Sequence, residues 1–276
     1  YSESWEIVDH GVDQSVVANG PLVGTTLGDL IRHHGSALLG RHNPLERFPL
    51  LFKYLDAHDV LSVQVHPDDS LAAKLDPPDL GKTEAWVVLA AEPGSVIYAG
   101  LRRGFDRAAL EREVSRGTTE LCLHKIEPKV GDCVLLPAGI VHALGAGLLI
   151  AEIQQASDTT YRLFDWNRID ASGKPRELHI AEALEATDYD DGPVVSQTPE
   201  STDLAYVQRL VDCDKFVLDR WNLDAQQCVG GDDRFHIISV IQGQVAVAHD
   251  AILVVVEQLG VAHCDAVGVP FEDATV

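Results

Sequence analysis

The 276-residue chain lacks methionine and is poor in basic residues. Its 21 Lys and Arg stand against 43 Asp and Glu, which gives a formal charge of −22 at pH 7. A chain this acidic is repelled by nucleic acids and by anionic membrane surfaces, so neither is expected as a partner. No apolar run approaches the ~20 residues that a membrane-spanning helix needs, and we expect no membrane span. An anionic small molecule would have to be attracted locally.

Signals for secretion and for paired cysteines are also missing. The start has no basic stretch followed by an apolar run. Its five cysteines are scattered and form no Cys-x-x-Cys pair: Cys122, Cys133, Cys213, Cys228 and Cys264. We therefore expect buried structural thiols in a reducing cytoplasm. The start at Tyr1 leaves open a missing N-terminal stretch. The lack of methionine leaves open that methionines are missing from the sequence as printed, so the motif spacings could be short by one residue in places.

Strand-like segments dominate the pattern, and helical segments are few. Helices are predicted from Thr25 to His33 with Thr25 or Thr26 as the N-cap, from Asp106 to Arg116 with Asp106 as the N-cap and Gly117 as the stop, and over residues 175–188. We expect β structure from Thr119 to Ile126 and a polar, irregular segment from Thr160 through Lys174. From about residue 205 a second series of short strands begins, joined by Gly-rich turns, and it includes strands over residues 244–248 and 252–256. Such a density of strands is typical of barrels or jelly rolls. The sequence predicts a mainly β protein with two barrels and helices packed around the first.

The stretch from Leu61 to Asp69, Leu-Ser-Val-Gln-Val-His-Pro-Asp-Asp, alternates apolar and polar residues as a half-buried strand requires. Ser62, Gln64 and His66 then lie on one face. Successive residues on one face of a strand are roughly 6 to 7 Å apart. At that separation, an amide and an imidazole can lean toward one small metal ion, although a polar face that meets water explains the stretch equally well.

A second strand is predicted from Lys82 to Ala91, and its alternation places Lys82 and Glu84 on one face. Downstream, Gly131-x5-Pro137-x-Gly139-x2-His142 fits the second cupin motif at every fixed position through the histidine. The first cupin motif is altered, because Gln64-Val-His66 replaces His-x-His and the expected glutamate arrives only at Glu84. Two barrels of the cupin (jelly-roll) type are therefore expected.

Four candidate ligands emerge from these motifs: Gln64, His66, Glu84 and His142. Two imidazoles, one carboxylate and one amide oxygen form a hard-to-borderline set. Such a set suits Zn²⁺, with Mn²⁺, Fe²⁺ or Co²⁺ also possible. We expect one metal ion per chain, bound without a thiolate.

Four segments together resemble type I mannose-6-phosphate isomerase in its shorter bacterial form, over nearly the whole chain. They are Leu61–Asp69, Gly81-Lys-Thr-Glu-Ala-Trp86, Pro137–His142 and Glu152-Ile-Gln-Gln-Ala-Ser-Asp-Thr-Thr-Tyr-Arg162. The resemblance implies a zinc-dependent interconversion of mannose 6-phosphate and fructose 6-phosphate. In this family the zinc ligands are Gln, His, Glu and His, which match the four candidates above.

The resemblance also implies catalytic roles. The family's active-site arginine, which follows a Ser-Asp pair, matches Arg162, while its functional lysine and glutamate match Lys82 and Glu152. An aldose becomes a ketose by moving a proton between carbons 1 and 2 through an enediol, so the site needs a proton-transfer group and a stabiliser of negative charge. Glu152 and Lys82 are the candidate proton-transfer groups, and the residues alone do not rank them.

Four other residues are candidates for proton transfer or for binding the substrate phosphate. Asp68 and Asp69 are secondary candidates for the base, although a turn or helix-capping role suits them better. Ser62 and Arg168, with Arg162, are candidates for binding the substrate phosphate. Arg168 lies in a segment that differs from the longer family members.

We expect residues 1–190 to form the catalytic, metal-binding cupin domain with its helical segments. Residues 191–276 are expected to form a second, degenerate cupin domain without metal. There, no His-x-His precedes Gly243, no Pro-x-Gly-x2-His follows it, and Gly260-Val-Ala-His263 stands alone. The sequence does not indicate an oligomeric state.

Two other functions stay open. One is a cupin metalloenzyme with a different reaction, such as an iron oxygenase or an epimerase-like enzyme, because one scaffold serves many reactions. The other is a sugar-binding cupin without turnover. The pairing of Lys82 and Arg162 with the metal set favours catalysis, because a storage barrel does not need charged groups at a metal.

Overall fold

A computed structural model of the chain describes residues 1–169 and 173–245, and the backbone of 254–257. The chain divides into two compact units, residues 1–5 with 50–224, and residues 6–49 with 225–276. The domain boundary expected at residue 190 stays a prediction. Among the described residues no helix is both long enough and apolar enough to cross a membrane.

Strands make up most of the regular structure, which confirms the mainly β prediction. They are β1 (Ser2–Ile7), β2 (Asp9–His10), β3 (Asp13–Gln14), β4 (Leu50–Ala57), β5 (Val63–Val65), β6 (Glu84–Ala91), β7 (Ile97–Leu101), β8 (Leu123–Ile126), β9 (Cys133–Leu136), β10 (His142–Leu144), β11 (Leu148–Gln155), β12 (Tyr161–Phe164), β13 (Glu200–Ser201), β14 (Val207–Asp212), β15 (Val217–Trp221), β16 (Ile237–Val240) and β17 (Val254–Glu257). The helices are α1 (Leu27–Leu39), α2 (Asp69–Ala72), α3 (Arg107–Arg116) and α4 (Ile180–Ala186), with a 3₁₀ turn at Thr119–Leu121.

The first unit contains two five-stranded sheets and the three-stranded sheet β13-β14-β15. One five-stranded sheet has the order β1-β4-β11-β6-β9, and the other has the order β12-β5-β10-β7-β8. Apolar side chains of both sheets form one cluster, to which β4, β6, β9 and β11 contribute from the first sheet and β7 and β10 from the second. The sheets therefore pack face to face. A second cluster joins β5 and β12 to α3 and α4, so helices cover the outer face of the second sheet.

The layer between the sheets changes character along its strands. On β11, Leu148 and Ile150 belong to the shared apolar cluster, whereas Glu152 and Gln154 continue the same face and are buried. Alternate residues of a strand point to one face, so one end of the interior is apolar and the other is polar. All the candidate ligands lie near the polar end.

Helix termini follow the expected capping residues. Thr26 Oγ1 accepts a hydrogen bond from the Asp29 backbone N–H at the start of α1. Asp106 does the same for Ala109 in α3, and α3 ends at Gly117 in the left-handed conformation, with φ of 71°. Helix α1 is longer than predicted and continues to Leu39.

Three local predictions were wrong. The segment after Thr160 was expected to be irregular but contains β12, whose pairing with β5 satisfies its backbone groups. Residues 119–121 form a 3₁₀ turn instead of a strand. Of the four cysteines within the described residues, Cys122 and Cys133 are buried as expected, whereas Cys213 is half-buried and Cys228 is exposed.

The second unit is described in parts. It contains α1, the β2–β3 hairpin and the parallel pair β16–β17. The strand predicted at residues 244–248 lies mostly outside the described residues, as do Cys264 and the Gly260–His263 segment. The strand predicted at residues 252–256 overlaps β17.

Candidate metal centre

His66, Glu84 and His142 meet at the polar end of the layer between the sheets. His66 follows β5, Glu84 begins β6 and His142 begins β10. The Nε2 atom of His66 lies 3.5 Å from Glu84 Oε2, and that of His142 lies 3.2 Å from Glu84 Oε1. One ligand atom from each residue lies within 4.8 Å of the others, and all three side chains are buried. This triad could hold a metal ion.

Backbone contacts fix the segments that carry the ligands. The Gly139 N–H donates to His66 O, and the Lys82 N–H donates to Pro67 O. Gly139 has a φ of 93°, and a Cβ there would lie 3.2 Å from Ala186 O. A glycine therefore suits this turn both for its backbone conformation and for its small size. The glycine of the motif thus lets the chain bend immediately before His142.

Both imidazoles are held by their other ring nitrogen. His66 Nδ1–H donates to Thr159 O at 3.0 Å, and His142 Nδ1–H donates to Ile140 O at 2.8 Å. In a neutral imidazole only one nitrogen carries the proton. Each Nε2 atom therefore presents a lone pair toward the Glu84 carboxylate.

Burial favours the neutral form of both histidines. It lowers the pKa of His66 to about 3, with the Lys82 ammonium acting in the same direction. It also lowers the pKa of His142, against the attraction of Glu84. Burial opposes ionisation of Glu84, but the Lys82 ammonium holds the pKa of its carboxyl well below its usual range.

The neutral imidazoles and the ionised carboxylate suit a metal cation. Within the described residues, His66 Nε2 and both Glu84 carboxylate oxygens are buried without a hydrogen-bond partner. Buried acceptors that face one another without a proton repel, and leaving them unpartnered destabilises the fold. A divalent ion between them would satisfy all of these atoms, and nitrogen and oxygen donors of this kind suit Zn²⁺.

Gln64 lies beside the triad. It is the direct partner of His142 across β5 and β10, so both side chains lie on one face of the sheet. Its Nε2–H donates to His142 Nε2 at 3.3 Å. If the amide turned by 180° about its last bond, its oxygen would point there instead. The structure therefore brings together all four of the predicted ligands.

Two lysines and a glutamate extend the polar cluster. Lys82 Nζ lies 3.3 Å from Glu84 Oε2, as the shared strand face predicted. Lys53 Nζ lies 3.4 Å from Glu152 Oε1 and 3.5 Å from Glu3 Oε2. Burial raises the pKa of Glu152 to about 7, against the attraction of Lys53, and the negative charge of Glu84 adds to that rise.

Lys53 was missed by the sequence reasoning, although a signal was present. It stands alone among apolar residues in the strand that became β4, and it is 7% exposed. A lysine buried in this way needs a partner of opposite charge. Its attraction to Glu152 and Glu3 outweighs burial and raises its pKa above the ordinary value.

Arg162 lies in register with Gln64 across β12 and β5. Gln64 is thus flanked by His142 on one side and Arg162 on the other. Arg162 Nη1 donates to Glu177 O, while its buried Nε has no hydrogen-bond partner among the described residues. The guanidinium therefore retains a donor.

The other candidates of the sequence analysis lie in different settings. Ser62 is buried immediately before β5. Arg168 donates to Val60 O at 2.6 Å and forms an ion pair with Asp165. These interactions connect two loops, and a role of Ser62 and Arg168 in phosphate binding stays a prediction.

Asp68 and Asp69 make structural contacts. Asp68 is the N-cap of α2 and accepts from the Leu71 N–H. Asp69 accepts from the Gly81 N–H and from Gln155 Nε2, and it pairs with Lys215. The capping and turn role considered for them agrees with these contacts.

The chain is similar to proteins of known family. Residues 1–84, which include Gln64, His66 and Glu84, match the family described as phosphomannose isomerase type I, catalytic domain. The chain is 38% identical over 249 residues to mannose-6-phosphate isomerase ManA of Bacillus subtilis (strain 168), covering 88% of this chain and 76% of the relative. It is 36% identical over 244 residues to the mannose-6-phosphate isomerase of Streptococcus mutans, covering 88% of this chain and 75% of the relative.

A solved structure has the same fold. The mannose 6-phosphate isomerase from Bacillus subtilis superposes with a TM-score of 0.72 at 35% identity, covering 80% of this chain and 70% of that one. The similarity confirms the cupin type of fold expected from the motifs.

Proposed function

The chain belongs to the type I phosphomannose isomerase family, and we propose that it interconverts mannose 6-phosphate and fructose 6-phosphate with one bound Zn²⁺. The relatives at 36% and 38% identity are named mannose-6-phosphate isomerases. The proposal rests above all on one observation, the two imidazole Nε2 lone pairs that converge on the Glu84 carboxylate in a buried site.

The metal would be held by His66, Glu84 and His142, with the amide oxygen of Gln64 as a fourth ligand. When bound, a divalent ion acts as a Lewis acid that stabilises negative charge on sugar oxygens. The protein's part is to hold the ligands deprotonated and to limit the access of water. The burial of the triad supports both.

Proton transfer between carbons 1 and 2 is assigned to Glu152. The reaction moves a proton from carbon 2 of the aldose to carbon 1, and a second proton from the oxygen on carbon 2 to the oxygen on carbon 1, by way of an enediol. A base works best when its pKa is close to the working pH, and the pKa of Glu152 is raised to about 7. Its Oε1 is buried and lies 3.4 Å from the Lys53 ammonium.

Lys82 and Arg162 supply positive charge. The Lys82 ammonium lies beside Glu84, where it can donate to a sugar oxygen as charge develops. Arg162 remains charged throughout and retains a free Nε–H donor for an oxyanion or the phosphate. These two groups provide the local attraction that an anionic substrate needs on a chain with a formal charge of −22.

The phosphate itself is assigned to Arg162, with Ser62 and Arg168 as secondary candidates. Ser62 lies two residues before Gln64, one of the proposed metal ligands, so its hydroxyl is close in sequence to the proposed metal site. We place this metabolic activity in the cytoplasm, without nucleic acid or membrane as a partner.

A coupled assay of fructose 6-phosphate formation tests the proposal. Purified protein is assayed with mannose 6-phosphate as prepared, after chelation, and after Zn²⁺ is restored. We expect activity that is lost on chelation and regained with Zn²⁺. The Glu84→Gln variant, assayed in parallel, should stay inactive at the same added Zn²⁺.

Two outcomes would contradict the proposal. If folded, zinc-loaded protein does not turn over mannose 6-phosphate, the isomerase activity is wrong for this chain. If activity survives complete chelation, confirmed by metal analysis, the metal dependence is wrong.

A further inference from the structure

Asp79 connects two segments that are distant in the sequence. It lies between α2 and β6, and its side chain is half-buried. Its Oδ2 atom accepts a hydrogen bond from Ser157 Oγ at 2.7 Å and another from Thr159 Oγ1 at 2.9 Å. One carboxylate oxygen thus holds two hydroxyls of the segment between β11 and β12.

Further bonds hold that segment in a single conformation. The Thr159 N–H donates to Ser157 Oγ at 3.2 Å, and Gln154 Nε2 donates to Ser157 O at 2.6 Å. Ser157 is fully buried. The position of the Thr159 backbone therefore depends on the Ser157 and Thr159 hydroxyls, both of which donate hydrogen bonds to Asp79.

The same Thr159 supplies the acceptor for His66. Its carbonyl oxygen accepts from His66 Nδ1–H at 3.0 Å. This bond sets the tautomer of His66 and directs its Nε2 toward Glu84. A shift of the Thr159 carbonyl would therefore change the orientation of His66, one of the proposed metal ligands.

We infer that Asp79 is a positioning residue for the metal centre and acts on His66 through Thr159. The inference rests on the proposed metal site but not on the identity of the sugar. Residues that orient ligands usually contribute 10- to 100-fold to metal affinity, and about tenfold is expected for one acting through an intermediate residue.

The second histidine provides an internal comparison. His142 Nδ1–H donates to Ile140 O, a backbone atom only two residues away. The orientation of His142 is therefore set locally and does not depend on Asp79. Loss of Asp79 should therefore weaken metal binding by disturbing His66, while the orientation of His142 stays unchanged.

The experiment compares Asp79→Ala and Asp79→Asn with the native chain. Asparagine keeps an oxygen that accepts both hydroxyls, whereas alanine removes it. Asp76→Ala serves as a matched control, because it removes an exposed carboxylate from the same loop. The Zn²⁺ dissociation constant is measured by competition with a chromophoric chelator. The visible absorption of Co²⁺-loaded protein reports the ligand geometry, and the thermal midpoint of metal-free protein reports folding.

We expect Asp79→Ala to weaken Zn²⁺ binding about tenfold and to change the Co²⁺ spectrum. Asp79→Asn should remain within about threefold of the native affinity, and Asp76→Ala should match the native chain. A native affinity and Co²⁺ spectrum in Asp79→Ala would overturn the inference, even if the thermal midpoint fell.

A second variant covers the case in which Asp79→Ala does not fold. Thr159→Val removes one hydroxyl but keeps the backbone carbonyl, and it should weaken Zn²⁺ binding in the same direction. An unchanged affinity in folded Thr159→Val would also overturn the inference. Inactivity of the native chain toward mannose 6-phosphate would contradict the proposed function but leave this comparison of affinities intact.

Discussion

Lys53 and Glu152 are direct partners on the adjacent strands β4 and β11, and Lys53 Nζ lies 3.4 Å from Glu152 Oε1. Both side chains are buried. The lysine charge favours the ionised form of Glu152, while burial raises the pKa of that carboxyl. Because burial and the Lys53 charge oppose each other, the pKa of Glu152 lies at about 7, near neutral pH.

Replacing Lys53 should shift the pH dependence of the reaction. Lys53→Met removes the charge that lowers the pKa of Glu152, so this pKa should rise further. The acid limb of kcat/KM should then move up by about one pH unit, with about a fivefold loss at pH 7. Glu3→Gln is the control, because it removes the other partner of Lys53 and should shift the limb much less. An unmoved acid limb in Lys53→Met would count against Glu152 as the base.

The glutamine variants of Glu84 and Glu152 should lose different properties: the first Zn²⁺ affinity, the second catalytic rate. Glu84→Gln removes a metal ligand, so its Zn²⁺ affinity should fall by about 100-fold or more. Glu152→Gln should keep Zn²⁺ affinity within about threefold, while kcat falls by about 10²- to 10⁴-fold. Equilibrium competition for Zn²⁺ and steady-state kinetics on the same preparations separate the two roles. A Glu152→Gln variant with nearly native kcat would rule out its assigned role.

The metal-free protein should lose stability as the pH falls. His66 has a folded pKa of about 3 in the metal-free site, whereas an unfolded chain has about 6.5. Between these values the unfolded state binds more protons, so the free energy of unfolding decreases as the pH falls from about 6.5 toward 3. The burial of His142 acts in the same direction.

Thermal unfolding of chelator-treated protein at pH 7.5 and 5.5 measures this dependence. His66→Gln removes one of the titrating groups, so its thermal midpoint should fall less between the two pH values. An equal fall in the native chain and the variant would show that His66 does not contribute.

Variants of Arg162 and Arg168 should distinguish a residue that acts on the substrate from one that stabilises the fold. Arg168 donates to Val60 O and pairs with the buried Asp165, so Arg168→Gln should lower the free energy of unfolding by about 1 to 3 kcal/mol. Its KM for mannose 6-phosphate should change little. Arg162→Lys keeps the charge but loses the planar group, and its kcat/KM should fall by about 10²-fold. A large rise in KM in Arg168→Gln without loss of stability would instead assign the phosphate to Arg168.

The motifs of the sequence predicted much of the site because they are local. Alternation along one strand placed Lys82 beside Glu84, and the glycine and proline spacing before His142 predicted a bend that the structure confirms. The caps of α1 and α3 were also correct, since a capping side chain acts within three residues of itself.

Pairing between distant segments was beyond these local patterns. Strand β12 was missed because residues 161–164 form a strand only through pairing with β5. Lys53 was missed because its partner lies about a hundred residues away and meets it only through the register of β4 and β11.

The sequence by itself thus determined the mainly β class, the family and the four candidate ligands, because each depends on residue type and short spacing. The tertiary structure alone decided which carbonyl orients His66 and which charge faces Glu152. These contacts depend on strand register and on the course of the segment after β11, and both are set by packing over the whole unit. Local residue patterns do not encode that packing.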